Sequence, residues 1–329
     1  MENKKILITG GAGFLGANLA RRLLINNKVS LFVKPETDLW RIKDIKENKN
    51  VEIIKGNLLN KEELRKALEE KDYIYHFAWQ TDLKKSMENP IEDLKNDIGG
   101  LLNILENCRM YNKNVKIIFA STVTVIGIPK ENPVKEEEKE NPLSIYDANK
   151  LLAEKYLKIY KENYGIKICI LRLSNIFGEY QRIDNSNRGV LNFMIGRALR
   201  EEDLIIYGDG NFIRDYCYIP NYIDAFIIAA EKENTNGEIY IIGSGEGKTF
   251  KEVVEKIRYI FEKSKNKKIV VKFIKFPEGD NKINKRDFIA DFSKFNKDVG
   301  WKPKISFDEG LEKTIEFYIK NQDNYIYKN

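Results

Sequence analysis

A turn with closely spaced glycines constrains the fold of this chain more than any other feature. Residues 6–16 read Ile-Leu-Ile-Thr-Gly-Gly-Ala-Gly-Phe-Leu-Gly: an apolar run, a glycine-rich turn, then helix-forming sequence. Gly11, Gly13 and Gly16 fit G-x-G-x-x-G, while Gly10, Gly13 and Gly16 fit the looser G-x-x-G-x-x-G. A strand that feeds a helix this way needs one glycine for the tight bend. A second lets backbone reach a pyrophosphate, and a third lets helix pack on strand. The helix then offers unpaired N–H groups and its positive dipole end to phosphates. Following a strand and opening a helix, the pattern implies a dinucleotide site.

The rest of the first half keeps the same rhythm. Apolar, β-branched runs at 6–9, 29–33, 51–54, 73–77, 116–120 and 167–173 read as strands. Between them, 17–27, 61–69, 90–111 and 146–164 read as helices. Such alternation requires right-handed crossovers and gives an α/β protein with a Rossmann-type, doubly wound parallel sheet. After Leu173 the rhythm loosens. A loop at 179–189, helices near 191–201, 220–232, 249–263 and 307–320, and a turn at 207–210 precede or follow one more strand at 238–242. The expected organisation is a dinucleotide-binding domain over 1–174, its sheet rejoined by about 215–243. Residues 175–329 mainly form a smaller C-terminal substrate-binding lobe.

Composition narrows the chemistry. The 329 residues hold one histidine, His76, and three well-separated cysteines, so a multi-histidine metal centre, a zinc site of usual spacing and a disulfide framework are not expected. His76 reads as a packed strand-end residue, and Trp79 and Trp301 as core. No run of 18 apolar residues suggests a membrane span and no secretory signal is evident, so a cytoplasmic location is expected. The net charge of +6 comes from interspersed charges, not a basic stripe, which argues against nucleic acid.

Tyr146 and Lys150 stand at i and i+4 on one helix face. A phenol with pKa ~10 is a poor base at neutral pH, and a neighbouring ammonium favours the phenolate. By itself Y-x-x-x-K is common. Here it follows a strand ending in Ser121-Thr122, and ligands of open α/β sheets bind at that edge. The residue closing the second strand is Lys34, where an Asp or Glu would bind the ribose 2′-hydroxyl of NAD. Lys34, with Thr37 and Arg41, suits a 2′-phosphate and leans toward NADP; an ordinary solvated loop lysine remains the alternative.

These motifs resemble an extended short-chain dehydrogenase/reductase of the nucleotide-sugar epimerase/dehydratase type. The likeness spans nearly the whole chain: 9–16, His76-Phe77-Ala78-Trp79, Tyr146 and Lys150, 171–178, 207–216 and Gly300-Trp301-Lys302-Pro303. The resemblance implies Tyr146 as acid/base, Lys150 as partner of the nicotinamide ribose, and Thr122 as the hydroxyl at the reacting oxygen. It implies cofactor contacts from Gly10, Gly13, Phe14, Leu15, Gly16, Lys34, Asn57, Leu58, Phe77, Ala78 and Lys150. It places the nucleotide-diphosphate sugar against Thr122, Tyr146, Asn175, Asn192, Arg214 and Arg286, and it implies NAD or NADP and a homodimer through 90–111 and 146–164.

Departures from the family pattern sharpen the expected reaction. Val123-Thr124 replaces the Asp-Glu that follows the Ser/Thr in 4,6-dehydratases. Val123, and Glu179-Tyr180 after Gly178, replace the Cys and His of fucose-synthase-like members. Ile126 stands in the place of a common Tyr, Asn57 in that of an Asp, and Asp97 in that of an Asn. Hydride transfer at one sugar carbon survives these losses. The expectation is a nucleotide-sugar epimerase working through a transient keto sugar. An NADPH-dependent keto-sugar reductase is the runner-up, and a non-catalytic dinucleotide sensor is the alternative of another class.

Overall fold

The computed structural model describes residues 1–276 and 286–325. Strands β1 (Lys5–Thr9), β2 (Lys28–Val33), β3 (Val51–Lys55), β4 (Tyr73–His76), β5 (Lys116–Thr122) and β6 (Lys167–Leu173) arise from the apolar runs of the first half. The chain then forms β7 (Asn175–Phe177), β8 (Leu204–Tyr207) and β9 (Ile213–Tyr218) before β10 (Ile239–Ile242) returns beside β6. The main sheet is parallel throughout, in the order β10-β6-β5-β4-β1-β2-β3. Strand order reverses between β1 and β4, so a crevice opens at their C-terminal ends.

Helices cover both faces. These are α1 (Phe14–Leu23), α2 (Lys61–Leu68), α3 (Leu83–Glu88), α4 (Pro90–Tyr111), α5 (Ile145–Tyr164), α6 (Val190–Leu199), α7 (Ile219–Glu231), α8 (Phe250–Lys265), α9 (Ser293–Val299) and α10 (Phe307–Lys320). Period-two alternation divides each strand between the two layers. Ile6 and Ile8 join the side chains of α1 and α7, whereas Leu7 joins those of α2 and α4.

Boundaries moved at the first helix, which starts at Phe14 rather than Ala17 and ends at Leu23, because Lys28 already pairs with Lys5 in the sheet. Small elements in the second half escaped the sequence pattern. Strands β7 and β9 combine with β11 (Gly247–Thr249) in a three-stranded sheet, and β12 (Val271–Ile274) pairs with β8. Two are only three residues long, too short to show a period.

Buried charge ties the sheet edge to α5. Arg172 on β6, 1% exposed, donates to both carboxylate oxygens of Glu154 and, at 2.8 Å, to Glu140. Glu154 also accepts the Ser121 hydroxyl at 2.5 Å. On the same strand as Ser121, Lys116 sends its ammonium to the carbonyls of Ala230 and Lys232 and to the Thr235 hydroxyl, closing the end of α7.

Removing one member of the buried pair strands the other charge away from water. Glu154→Ala is expected to cost about 3–5 kcal/mol. Lys155→Ala, which breaks only the exposed pair with Glu140, is expected to cost less than about 1 kcal/mol. Urea midpoints of the two variants check the contrast.

Candidate active site

The glycine turn has the geometry that its spacing demanded. Gly10 has φ of +68°, and a Cβ there would sit 2.8 Å from the Ala78 nitrogen. A Cβ on Gly16 would strike the Gly10 carbonyl and the Gly11 backbone. Gly13 caps α1 without a side chain, and no acid stands in the first turn. The helix N-terminus is therefore open to an anion.

A cleft of about 430 Å³ begins at this turn. Of the sequence-assigned cofactor residues, Gly10, Gly13, Lys34, Asn57, Leu58 and Ala78 line it. Phe14, Leu15 and Phe77 instead pack partly into the apolar layer beneath, and Gly16 is buried at the helix–strand contact. Exposed Lys34 shares the wall with Thr37 and Arg41, and no acidic residue closes β2. Asn57 uses its side-chain oxygen to accept from the Leu59 N–H at 2.9 Å.

Trp79 corrects an expectation. It packs only partly on the core and also lines the cleft, carrying the Lys150 ammonium 4.0 Å from its ring centre. Phe119 lies on another side of that ammonium at 4.5 Å, and Lys150 donates to the Ala120 carbonyl at 2.6 Å. Burial pushes the Lys150 pKa down, while the charges of Asp97 and Glu154 pull it back up.

Tyr146 stands one turn before Lys150, with 6.0 Å between the ammonium and the phenol ring centre. The expected lowering of the phenol pKa is not seen in the protein alone. Burial raises it, and the carboxylates of Asp147, Asp97 and Asp93 add to the rise. Burial comes first in this rise, with acidic side chains on α4 and α5 adding to it.

Thr122 ends β5 with its hydroxyl 2.9 Å from that of Thr124. Thr124 donates in turn to Asp147, whose other oxygen accepts from Ser144 at 2.7 Å. Asp147 is fully buried; burial raises its pKa, and the bonds from Thr124 and Ser144 oppose that.

The sequence reading overlooked a polar cluster on α4. Asp93 and Asp97, both buried, line the cleft one turn apart. Gln80 bridges them, its backbone N–H donating to Asp97 and its amide to Asp93 at 3.1 Å. Asn149 donates to Asp93 at 2.9 Å. Their i, i+4 spacing beside the family motif is the signal that was available.

On the sugar side, Arg214 donates to the carbonyls of Ile213 and Arg286, and Arg286 donates to the Gly127 carbonyl at 3.1 Å. Burial and the adjacent Arg214 push the Arg286 pKa down to about 9, with Asp147 opposing. Its buried Nε has no partner among the described residues. Two neighbouring guanidiniums suit the oxygens of a diphosphate. Asn175 starts β7 opposite Tyr216 and is half-buried. Asn192 is buried, and its amide donates to the Gly178 carbonyl at 2.9 Å and accepts from the Gly178 N–H.

The open helix terminus, the cleft and the Thr–Tyr–Lys set define a dinucleotide-dependent enzyme of the short-chain dehydrogenase/reductase class. Comparisons with known proteins narrow this. A family profile described as GDP-mannose 4,6 dehydratase matches residues 7–314. A putative UDP-glucose 4-epimerase of Methanocaldococcus jannaschii is 31% identical over 331 residues, covering 96% of this chain and 99% of that protein. The structure of UDP-N-acetylglucosamine 4-epimerase from Methanobrevibacter ruminantium, in complex with UDP-N-acetylmuramic acid, superposes with a TM-score of 0.89. It is 30% identical and covers 98% of this chain and all of its own. UDP-glucuronic acid 4-epimerase from Bacillus cereus, in complex with UDP-glucuronic acid and NAD, gives 0.84 at 30% identity, covering 96% and 99%. The chain belongs to the extended short-chain dehydrogenase/reductase family of NAD-dependent nucleotide-sugar epimerases and dehydratases.

His76 is no acid or base here. The Ala78 N–H donates to the Thr9 hydroxyl at 3.2 Å, and that hydroxyl is hydrogen-bonded to His76 Nδ1 at 2.7 Å. Burial, aided by Lys150, pushes its pKa down to about 3. Because the unfolded imidazole titrates near ~6.5, the unfolded state alone gains a proton as pH falls below that value, and stability drops toward pH 3. At pH 5 the loss relative to neutral pH is about 2 kcal/mol. His76 is the only histidine, so its NMR signal is unambiguous. That signal should stay unchanged between pH 5 and 8, and a midpoint near 6.5 would refute the assignment.

Proposed function

We propose that this chain is a nucleotide-sugar epimerase that oxidises one sugar carbon transiently and restores it with inverted configuration. The observation that carries this reading is the Thr122, Tyr146 and Lys150 set at the C-terminal edge of the sheet, with no acid pair following Thr122. At the position of the dehydratase acid pair stand Val123, which is buried, and Thr124, whose proton is taken by Asp147. The family profile's dehydratase name therefore does not decide the reaction of this chain.

The glycine cradle and the open end of α1 fit a dinucleotide pyrophosphate. When bound, a nicotinamide would accept the hydrogen and two electrons of the sugar C–H bond and later return them. Tyr146 takes the proton of the sugar hydroxyl and gives it back to the carbonyl oxygen. Lys150, anchored on Ala120, holds its charge beside the phenol and the ribose. Arg214 and Arg286 hold the diphosphate while the keto sugar turns to present its other face. On this reading residues 1–174 carry the cofactor and 175–329 mainly the sugar nucleotide. Exposed Ile91, Leu94, Leu152 and Ile159 on the packed pair α4 and α5 support a homodimer through these helices.

A panel of nucleotide sugars incubated with NAD or NADP, with products resolved by NMR, tests the reaction. An epimer should appear without net cofactor reduction. Tyr146→Phe should keep the cofactor but lose about 10²–10⁴-fold in turnover. Normal activity in that variant overturns the assignment.

Lys34, Thr37 and Arg41 in the cleft wall favour a second feature, a preference for NADP. Lys34→Ala is then expected to weaken NADP binding about tenfold and leave NAD within about twofold. Equal effects on both cofactors in a titration would remove the preference.

A further inference from the structure

The hydroxyl chain behind the reacting oxygen has a direction that can be counted. A hydroxyl carries one proton. Ser144 spends its proton on one oxygen of Asp147, and Thr124 spends its own on the other. The 2.9 Å bond between Thr122 and Thr124 must then use the proton of Thr122. One lone pair of Thr122 already accepts the Thr124 N–H at 3.2 Å.

We infer that Asp147 is a positioning residue: through Thr124 it commits the Thr122 proton inward, so that Thr122 has no proton to give to the reacting oxygen. The inference rests on the epimerase reading and adds a reason for the device. Asp147 is held from several sides. It is fully buried in the first turn of α5, where the helix end favours a carboxylate. Its own N–H donates back to Ser144 at 3.1 Å, and Arg286 supplies a nearby positive charge.

A committed proton limits how the reacting oxygen is held. The sugar hydroxyl has one proton, which goes to Tyr146, and Thr122 does not grip the oxygen by donation. A keto oxygen only accepts, so Thr122 can bind it by donation only after breaking with Thr124. The carbonyl is then held mainly by Tyr146 and released readily, which frees the keto sugar to turn over. A freely rotating threonine at this position would grip the carbonyl and slow that step.

The test uses full-length Thr124→Val and Thr124→Ser with a UDP-hexose that the wild-type protein epimerises. Valine removes the inward acceptor, and serine restores it. In Thr124→Val, kcat should fall about tenfold, the scale of one hydrogen bond, with KM within about twofold. The near-ultraviolet band of reduced nicotinamide should rise at steady state, because keto sugar persists. Thr124→Ser should match the wild type. A merely structural loss would lower activity without raising that band. Wild-type kinetics and an unchanged band in Thr124→Val overturn the inference alone. A wild-type protein that converts no nucleotide sugar overturns the epimerase reading and, with it, this inference.

Discussion

The active geometry depends on where one ammonium is held. Lys150 lies against Trp79 and Phe119 and donates to the Ala120 carbonyl near the end of β5. That bond fixes the start of α5 against the end of β5. It therefore sets the relation between Tyr146 on the helix and Thr122 on the strand. Burying an ammonium is costly without compensation. Here aromatic faces, a carbonyl and the charges of Asp97 and Glu154 share the task. Below it, Glu154 and Arg172 repeat the arrangement with a full ion pair, so two layers of charge hold helix to sheet.

Burial also explains the state of Tyr146. Desolvation raises its pKa, and the carboxylates of Asp147, Asp97 and Asp93 add to the rise. Without cofactor the phenol thus stays protonated at neutral pH. A cationic nicotinamide arriving in the cleft would supply the missing positive charge, so readiness for proton abstraction is coupled to cofactor occupancy.

Much of this was legible in the sequence, for specific reasons. Of the six strands of the first half, all but the edge strand β3 are mostly buried on both faces and so read as largely apolar runs. Gly10, Gly13 and Gly16 announce the phosphate turn because no residue with a Cβ fits. Tyr146 and Lys150 are readable because helical spacing puts them on one face. What stayed hidden depends on contacts between distant residues. The three-residue β7 and β11 take their form from β9 and show no period of their own. Trp79 looked like core because hydrophobicity does not tell a buried face from a ligand-facing one. Asp147 is a neighbour of the catalytic tyrosine in sequence, but only the fold brings Thr124 and Ser144 to its two oxygens.

The late arrival of β10 has consequences for how the chain matures. Until residue 242 has emerged, β6 is an outer strand with bare backbone groups and mostly apolar side chains. Such an edge invites pairing with other chains. The first half of the chain is thus not a unit of assembly. A nascent chain halted after Leu173 would carry a sticky rim, and sealing it requires a strand from the second half.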